Sequence, residues 1–472
     1  MSWHTKVITG RYADSVRLMG VARGVRARDG VARCEVAMGT AANLDALHAL
    51  GVSVDAPPEV VEAALAEAER ALTAVPGGSG AAGGPVARPR SIVSARTAAP
   101  DANLAIISVP GEYATLEAHQ ALTAGMHVFL FSDHVSLDDE LALKQRGEKA
   151  GLLVMGPGCG TAMLGGIGLG FANVVAPGRV GIVAAAGTGA QEAACLVEAA
   201  GAGITQIIGV GGRDLSEAIG GIMYRQGMEM LAADDDTDIL LLVSKPPAPS
   251  VVQTLAAAVP KDKRVVAAFV GWEGGDAPFE VHATIDEAVR AAVGGAEPDL
   301  TSQKAAVEAA RGRTAGHSLV GLYSGGSLAH EAITILEPAL GPIGGNAGHG
   351  DASAVHSILD LGEEEYTQGR PHPMVDLDLR VSMIADLVRD GHSGCVLLDV
   401  VLGHGAHANP GGELATALAP LTKTGVVIAS VCGTPGDPQD VAKQETALRD
   451  AGVVVAPSNA AAARLAVAAV RA

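Results

Sequence analysis

The stretch that decides the fold is Val154-Met-Gly-Pro-Gly-Cys-Gly-Thr-Ala-Met163, followed by Val180-Gly-Ile-Val-Ala-Ala-Ala-Gly-Thr-Gly-Ala-Gln-Glu192. Each half has an apolar run that suits a buried strand, then a glycine turn with a small hydroxyl residue, then a helix-like continuation. Such a turn leaves backbone N–H groups unpaired at the helix start, where the helix dipole also favours negative charge. Two facing starts in one α/β unit can hold one anion. The alternative is that both are ordinary strand-to-helix turns.

The composition indicates a protein built from small aliphatic side chains. Aromatic residues make up only 3% of the 472 residues, whereas 61 residues are glycine. Such a composition is typical of parallel α/β sheets with short turns. The length allows about two to four domains.

Charge and cysteine usage exclude several classes of partner. The formal net charge of −19 argues against nucleic acid and anionic membranes. Five cysteines without a CxxC pair make neither a disulfide framework nor a zinc site. The N-terminus lacks a signal-peptide pattern, and apolar runs such as Ile239–Val243 are too short to span a bilayer. We therefore expect a cytoplasmic protein with no membrane contact and no metal site.

Strand-like and helix-like segments alternate along the whole chain. This alternation predicts an α/β protein with three doubly wound parallel-sheet domains. Their predicted bounds are 1–150, 151–295 and 317–472, with a charged, helix-prone linker over 296–316. The predicted strands are Thr5–Thr9, Ala32–Met38, Leu104–Val109, His127–Phe131, Leu152–Met155 (which begins the second unit), Val180–Ala184, Ile204–Val210, Ile239–Val243, Val265–Val270, Ser318–Tyr323, Val396–Leu402 and Gly425–Ser430. The predicted helices include Asp14–Arg26, Asn43–Leu50, Tyr113–Ala124, Leu137–Ala150, Gln191–Ala200 and Leu215–Leu231.

Two turns carry a family resemblance. Gly156-Pro-Gly-Cys-Gly160 and Ala186-Gly-Thr-Gly-Ala-Gln-Glu192 resemble the Gly-Pro-Asn-Cys-Pro-Gly and Ser-Gly-Thr-Leu-Thr-Tyr-Glu turns of the succinyl-CoA synthetase α chain. Within that superfamily, the chain is most similar to the FdrA-type proteins. The motifs that carry this likeness are Asp14-Ser15, Met38-Gly-Thr-Ala-Ala-Asn43, Leu322-Tyr-Ser-Gly-Gly-Ser-Leu328, Ile358-Leu-Asp-Leu-Gly362 and Glu365-Tyr-Thr-Gln-Gly-Arg-Pro-His-Pro-Met374.

The resemblance covers nearly the whole chain. It implies a Rossmann-like CoA-binding-type domain over 1–150, followed by two flavodoxin-like ligase-type domains. The first of these, 151–295, is of the synthetase α-chain type. The second, 317–472, is of the β-chain type without its ATP-grasp part.

Three departures from the synthetase bear on the chemistry. Where the synthetase carries its phosphohistidine loop, this chain has Val270-Gly-Trp-Glu-Gly-Gly-Asp-Ala-Pro-Phe279, without histidine. Lys245 replaces the glutamate that supports the phosphohistidine. Thr9-Gly-Arg-Tyr-Ala-Asp-Ser15 is not a glycine-rich dinucleotide fingerprint, which argues against CoA. Phosphate or carbamoyl phosphate is then the expected co-substrate, with no further cofactor.

FdrA-type proteins are associated with oxalurate breakdown in purine (allantoin) catabolism. The resemblance implies a subunit of a carbamoyltransferase complex that splits oxalurate, or a related ureido acid, with phosphate to give oxamate and carbamoyl phosphate. It also implies a small anionic substrate, partner subunits from the same pathway and a homo-oligomer. One alternative is an acyl-CoA synthetase subunit that works with CoA and a separate ATP-grasp chain. Another is a non-catalytic scaffold.

The candidate anion site consists of main-chain amides in glycine turns, because such amides can grip phosphate without an enzyme nucleophile. Its expected members are Gly158, Cys159, Gly160, Thr161, Gly187, Thr188 and Gly189, with Ser324, Gly325 and Gly326 lining the cleft and the N–H of Gly405 aimed at the phosphate. Lys245 either neutralises phosphate or pairs with a surface carboxylate. Cys159 at a predicted helix start could have a depressed pKa and react as a nucleophile, although the related synthetases do not use this cysteine so.

Four further side chains are candidates for catalysis. Arg370 and His372 follow Gly369 and stand next to Pro371 and Pro373, which fix the backbone, and the arginine could bind a substrate carboxylate with two hydrogen bonds. The alternative is that these residues form a rigid loop that seals a contact between domains or subunits. His404 and His407 follow a buried strand; they could perform acid–base catalysis, bind a metal as a pair, or only hydrogen-bond their own loop.

Overall fold

The computed structural model describes residues 89–311, 318–351, 354–367 and 370–471. It also describes the single residues Leu18, Val21, Ala22, Gly24, Val25, Arg28, Val31, Cys34, Val36 and Ala68. Residues 89–362 and 373–472 form one compact unit, and residues 1–88 and 363–372 form another. Leu18, Val21, Ala22 and Val25 are helical and buried, within the predicted helix Asp14–Arg26. The other predicted elements and motifs before residue 89 lie outside the described residues.

Among the residues that the structure describes, the first sheet of the larger unit has three parallel strands in the order β1-β2-β3. Its elements are α1 (Ile92–Ala98), β1 (Leu104–Ile107), α2 (Gly111–Thr123), β2 (His127–Leu130), α3 (Leu137–Ala150) and β3 (Val154–Met155). β3 pairs with β2, so the stretch that was expected to begin the second unit instead completes this sheet. Helix α3 has the predicted bounds because Ser136 caps its first turn and Gly151 ends it in the left-handed conformation.

The second sheet has seven strands in the order β10-β9-β8-β6-β7-β4-β5. Its elements are β4 (Thr161–Leu164), β5 (Ile167–Gly170), β6 (Pro177–Ala184), α4 (Gly187–Ala199), β7 (Ile204–Gly209), α5 (Ile222–Ala232), β8 (Ile239–Ser244), α6 (Pro249–Leu255), β9 (Arg264–Phe269), β10 (Glu280–His282) and α7 (Ile285–Val293). β4 runs antiparallel to both β5 and β7, and the remaining pairings are parallel. Counted from β6, the parallel strands have the flavodoxin order 2-1-3-4-5.

The third sheet has six parallel strands in the order β12-β13-β11-β14-β15-β16. After the connecting helix α8 (Thr301–Arg311), its elements are β11 (Leu319–Tyr323), α9 (Gly326–Leu340), β12 (Ile343–Gly344), β13 (His356–Asp360), α11 (Asp378–Arg389), β14 (Cys395–Val401), α12 (Pro410–Leu418), β15 (Val426–Cys432), α13 (Val441–Asp450), β16 (Val454–Ala456) and α14 (Asn459–Val470). The short helix α10 (Glu364–Thr367) belongs to the other compact unit. Apart from the short strand β12, the order from β11 is again 2-1-3-4-5. The α/β class with flavodoxin-like, mainly parallel sheets is therefore confirmed.

One hydrophobic core joins the second and third sheets. Helix α9 packs against α4 of the second sheet and α14 of its own. The facing residues are mostly alanine, among them Ala190, Ala193, Ala329, Ala332 and Ala462, all of them buried. Small side chains let helix axes approach closely, so the two ligase-type sheets are held together by short contacts rather than by bulky groups. No helix in the described part of the chain has the length and apolar content needed to cross a membrane.

A buried ion cluster joins the first sheet to the second. The Lys144 ammonium of α3 lies 2.7 Å from Glu140 Oε1 and 2.7 Å from Asp214 Oδ1, and donates to the Val210 carbonyl at 2.9 Å. All three charged side chains are fully buried. Asp214 also accepts from the Tyr224 amide in α5, and Arg213 Nε lies 2.8 Å from Glu140 Oε2. The cation therefore balances two carboxylates that water does not reach.

Replacing Lys144 with alanine should destabilise the protein strongly, because it removes the cation from the buried Asp214 and leaves Glu140 with its Arg213 contact. We expect the free energy of unfolding to fall by about 3–5 kcal/mol, measured by urea denaturation. The control is Arg179→Ala, which breaks an exposed pair with Asp238 and should leave the midpoint nearly unchanged. Similar small shifts in both variants would contradict a structural role for the cluster.

Candidate functional site

The starts of two helices meet between the second and third sheets. β6 leads into α4 and β11 leads into α9, so both helices begin at the switch point of their sheet. A Cβ atom built on Gly325 would lie 2.7 Å from the Thr188 side chain, and one built on Gly189 would lie 3.3 Å from Ser327 Cβ. The predicted turns Gly187–Gly189 and Gly325–Gly326 are thus neighbours.

Neither helix start has a side-chain cap. In α4 the first amide that bonds back is that of Ala190, which donates to the Ala186 carbonyl at 2.9 Å. The amides of Gly187–Gly189 therefore have no acceptor within the helix. A Cβ atom on Gly187 would lie 3.6 Å from Thr161 Oγ1, so the Thr161 hydroxyl faces this start. This arrangement can bind an anion by amide, hydroxyl and helix dipole together.

The turn at Gly158–Gly160 differs from its prediction. It leads into the antiparallel strand β4 rather than into a helix. The amide of Gly158 donates to the Ser132 carbonyl at 2.9 Å, and that of Cys159 donates to the Leu130 carbonyl at 3.2 Å. A Cβ atom on Gly158 would lie 3.5 Å from a carboxylate oxygen of Asp133. The expectation of two helix starts within one unit is wrong, because the second start belongs to α9 of the third domain.

Two opposite charges lie at the start of α9. Lys245 directly follows β8 and is exposed, and its ammonium lies 3.4 Å from the position that a Gly326 Cβ would take. Asp360 ends β13, and its carboxylate is in close contact with the same position. Because Asp360 already offsets the positive end of α9, the start of α4 is the more favourable place for an added anion. The sequence did not indicate Asp360 as part of this site.

Ser324 has a structural role instead of facing a ligand. Its amide donates to Asp399 Oδ1 at 2.8 Å and its hydroxyl donates to Asp399 Oδ2 at 3.0 Å. Arg380 lies 2.5 Å from Asp399 Oδ1, and all three side chains are buried. Asp399 therefore fixes the turn before α9, and the prediction that Ser324 lines an open cleft is wrong.

His330 is an imidazole that the sequence did not indicate. It lies one turn after Gly326, and a Cβ atom on Gly271 would be 3.2 Å from its Nε2 atom. Burial lowers the pKa of His330, and the positive charge of Lys245 lowers it further. A hydrogen bond with the Val270 backbone opposes this decrease and raises the pKa of the imidazole. Lys245 and His330 therefore lie close enough to interact.

The loop after β14 is held by its own contacts and by neighbouring segments. The His407 amide donates to the Met374 carbonyl at 2.7 Å, and Gln439 Nε2 donates to the Gly403 carbonyl at 2.8 Å. His407 Nδ1 accepts from the Asn409 amide at 3.2 Å, and His407 Nε2 lies 3.4 Å from Glu413 Oε2. His404 is exposed, and its backbone pairs with Ala172. A Cβ atom on Gly405 would lie 3.0 Å from the Phe171 ring. α12 begins at Pro410, so Gly405 does not lie at a helix start, and the expected contact of its N–H with phosphate stays a prediction.

Arg370 and His372 belong to the other compact unit. Arg370 is exposed, and its amide donates to the Thr367 carbonyl at 3.2 Å. The catalytic roles of these two residues and of His404 and His407 stay predictions.

The Cys159 thiol lies in an apolar environment. Burial raises its pKa to about 12, which outweighs a hydrogen bond from the Thr161 backbone and the charge of Lys144. The expected depression of this pKa is therefore wrong, because Cys159 precedes a strand and is shielded from water.

We expect Cys159 to resist alkylation by iodoacetamide near pH 8, since only about one thiol in ten thousand would be ionised. Peptide mass spectrometry would measure the modified fraction, with the half-buried Cys34 as the reference thiol. In urea, both cysteines should react. Rapid alkylation of Cys159 in the folded protein would restore the nucleophile hypothesis.

Two buried glutamates lie deeper along the two helices. Glu192 of α4 and Glu331 of α9 are 3% and 1% exposed. Burial raises the pKa of Glu192 to about 7 and that of Glu331 to about 8. Repulsion between the two carboxylates raises the pKa of Glu331 further. Both groups are therefore partly protonated near neutral pH.

This pair should make the protein less stable as pH rises. A folded-state pKa above the unfolded value gives stability that is complete in acid and is lost as pH passes through about 7 to 8. In thermal melts between about pH 6 and 9, the free energy of unfolding of the wild type should fall by a few kcal/mol, on the order expected for such pKa shifts. The variant Glu192→Gln/Glu331→Gln should lack this decrease. The exposed Glu229→Gln should keep the wild-type slope. An unchanged slope in the double variant would assign the pH dependence to other groups.

Comparisons with known proteins identify the family of this chain. A family model described as CoA-ligase matches residues 322–469, and one described as AllF, heavy metal-associated domain, matches residues 1–84. The uncharacterized protein YahF of Escherichia coli (strain K12) is 35% identical, over an alignment that covers 95% of each chain. The chain belongs to the FdrA-type family, together with YahF.

Other relatives match a smaller part of this FdrA-type chain. Subunit alpha-2 of the mitochondrial succinate–CoA ligase [ADP-forming] of Trichomonas vaginalis is 29% identical over 31% of this chain and 47% of its own. Subunit alpha 2 of the enzyme from Archaeoglobus fulgidus is 28% identical over 31% of this chain and 50% of its own. These α subunits support the ligase-type relationship inferred from the two glycine turns.

Solved structures give a weaker likeness. The dinucleotide forming acetyl-coenzyme A synthetase 1 of Ca. Korarchaeum cryptofilum, in complex with phosphate and ADP, aligns with 78% of this FdrA-type chain and 82% of that chain. The TM-score is 0.32 and the identity is 12%, so this likeness carries no weight here.

Proposed function

We propose that this FdrA-type chain is a subunit of a carbamoyltransferase complex. The complex would split oxalurate, or a related ureido acid, with phosphate to give oxamate and carbamoyl phosphate in purine (allantoin) catabolism. The family membership and the AllF-type match at residues 1–84 support this pathway. The same proposal includes partner subunits, a homo-oligomer and a cytoplasmic location.

The observation that carries the proposal is the uncapped start of α4 opposite the Thr161 hydroxyl. Phosphate fits this place because main-chain amides and a helix dipole bind anions without a metal or a dedicated cationic pocket. Lys245, at the end of the neighbouring strand β8, would balance part of the phosphate charge. Gly160 also borders the space, since its Cα lies 3.9 Å from the Gly187 Cβ position.

The reaction balances without an enzyme nucleophile. A phosphate oxygen attacks the carbamoyl carbon of oxalurate, and the bond from that carbon to the ureido nitrogen breaks. Hydrogen phosphate loses its proton, and the departing nitrogen gains one, so oxamate leaves as a neutral amide with its carboxylate intact. Positioning and charge stabilisation then supply the rate.

Gly187 offers a sharp test of the phosphate position. Alanine fits there sterically, since the nearest atom to the new Cβ would be Thr161 Oγ1 at 3.6 Å. Gly187→Ala should therefore fold normally while its methyl group occupies part of the proposed anion site. For Gly187→Ala we expect the KM for phosphate to rise about 10-fold or more. For Lys245→Ala we expect kcat/KM to fall about 100-fold. The assay measures carbamoyl phosphate formed from oxalurate and phosphate without CoA, using the chain alone and with its co-purified subunits.

Lys261→Ala is the matched control, because Lys261 is exposed before β9, at the opposite end of the sheet. It should keep wild-type kinetics. Thermal melting would verify that Gly187→Ala is folded. Wild-type kinetics in Gly187→Ala and Lys245→Ala would refute the phosphate position. Absence of phosphorolysis by the complete complex would refute the proposed activity.

The runner-up is an acyl-CoA synthetase subunit, favoured by the CoA-ligase match at residues 322–469. In that case product formation would require CoA, ATP and a separate ATP-grasp chain. The same preparation assayed with these additions separates the two activities. Product that depends on CoA and not on oxalurate would favour the ligase.

A further inference from the structure

Glu192 and Glu331 occupy matching positions in the two helices that meet at the candidate site. Each lies five residues after the first residue of its helix, Gly187 in α4 and Gly326 in α9. The two stretches have the same plan, Gly187-Thr-Gly-Ala-Gln-Glu192 and Gly326-Ser-Leu-Ala-His-Glu331. The carboxylates are therefore placed equally far behind two helix starts that contact each other.

Asn459, the first residue of α14, bridges the two carboxylates. Its amide donates to Glu192 Oε1 at 2.9 Å, and its Nδ2 donates to Glu331 Oε2 at 2.8 Å. Nδ2 also donates to the Leu328 carbonyl at 2.9 Å, which fixes the orientation of the side-chain amide. The Ile285 amide donates to Glu331 Oε1 at 2.6 Å. The pair is thus one connected unit that spans both ligase-type domains.

One acceptor in this unit lacks a donor. Asn459 Oδ1 is buried, and no donor among the described residues reaches it. Buried carbonyl oxygens rarely lack a hydrogen bond, because an unsatisfied acceptor costs its full desolvation energy. The bridge also holds both carboxyl groups on one asparagine, and protonation of one of them relieves their mutual repulsion.

Nearby carboxylates oppose ionisation of the pair. Asp286 of α7 and Asp399 of β14 lie near it as further carboxylates, and each is already paired with arginine. The other titratable and charged groups near it are Cys195 of α4, Tyr323 of β11, Cys432 of β15 and Arg464 of α14. Cys432 adds a hydrogen bond to Glu192. Arg464 attracts a charged Glu331, but it also pairs with Asp286 and Glu287, so it offsets a second negative charge on the pair only in part.

We infer that Glu192 and Glu331 form a proton-linked sensor of the anion at the helix starts, so that anion binding is accompanied by proton uptake at this pair. The inference rests on the anion site of the proposed function. Five residues of helix separate each carboxylate from its helix start, about 7.5 Å along the axis. At this distance two negative charges in a protein interior repel each other measurably. The anion therefore binds best when the pair is protonated.

The test uses sulfate, because its charge stays constant across the range in which phosphate itself titrates. Titration calorimetry in buffers of different ionisation enthalpy measures both the sulfate Kd and the protons taken up. For the wild-type chain we expect net proton uptake near neutral pH, and a Kd about 10-fold weaker near pH 9 than near pH 6. Lys245→Ala should weaken binding at both pH values, which assigns the signal to this site.

Glu192→Gln/Glu331→Gln should bind sulfate with a nearly pH-independent Kd and little proton uptake. Glu229→Gln, an exposed glutamate of α5, should behave as wild type. Sulfate binding without proton uptake in the wild type overturns the sensor while the anion site stands. Absence of sulfate binding at either pH overturns both the sensor and the phosphate site. Absence of proton uptake in the wild type overturns the sensor even when the double variant does not fold, and uptake that is lost in His330→Gln would assign the proton to His330 instead.

Discussion

The contact between the start of α4 and the start of α9 is the constraint on which the rest of this structure depends. It is possible because Gly325 has no side chain: the Thr188 side chain already occupies the space a Cβ would need. The turn before α9 is held from behind by Asp399, whose carboxylate accepts two bonds from Ser324 and is balanced by the buried Arg380. The two helix starts meet because this turn is fixed, and the alanine-rich faces of the same helices can then pack along their length.

The sequence predicted the parallel strands well because their apolar runs and glycine turns are local signals. The bounds of β6, β8 and β14 differ from their expected bounds by at most three residues, and the bounds of α3 match their prediction. The hairpin of β4 and β5 was missed, although Gly165 and Gly166 between them both have positive φ, as a two-residue hairpin turn requires. In sequence, the glycine turn at Gly158 resembles a helix start, so the sequence predicts a helix after it and not the hairpin turn at Gly165 and Gly166.

The site was harder to predict because it is made by tertiary contacts. Whether the amide of Gly158 is available depends on the Ser132 carbonyl, which follows the neighbouring strand β2 and is distant from Gly158 in sequence. The partner of α4 is α9, and no local pattern relates two helices from separate domains. One signal was available: the repeated spacing from glycine to glutamate in α4 and α9 indicated two equivalent helices. His330 and Asp360 carry no such pattern, since only packing brings them to the start of α9.

The ends of the two large sheets have a further consequence. Their outermost strands, as far as the described residues go, are β5 and β10 in one sheet and β12 and β16 in the other, with four, three, two and three residues. Strands this short expose few backbone groups along the border, so they make poor templates for an incoming strand of another chain. Quaternary assembly through these domains would therefore have to use helix and loop surfaces, and the borders themselves discourage fibre-like growth.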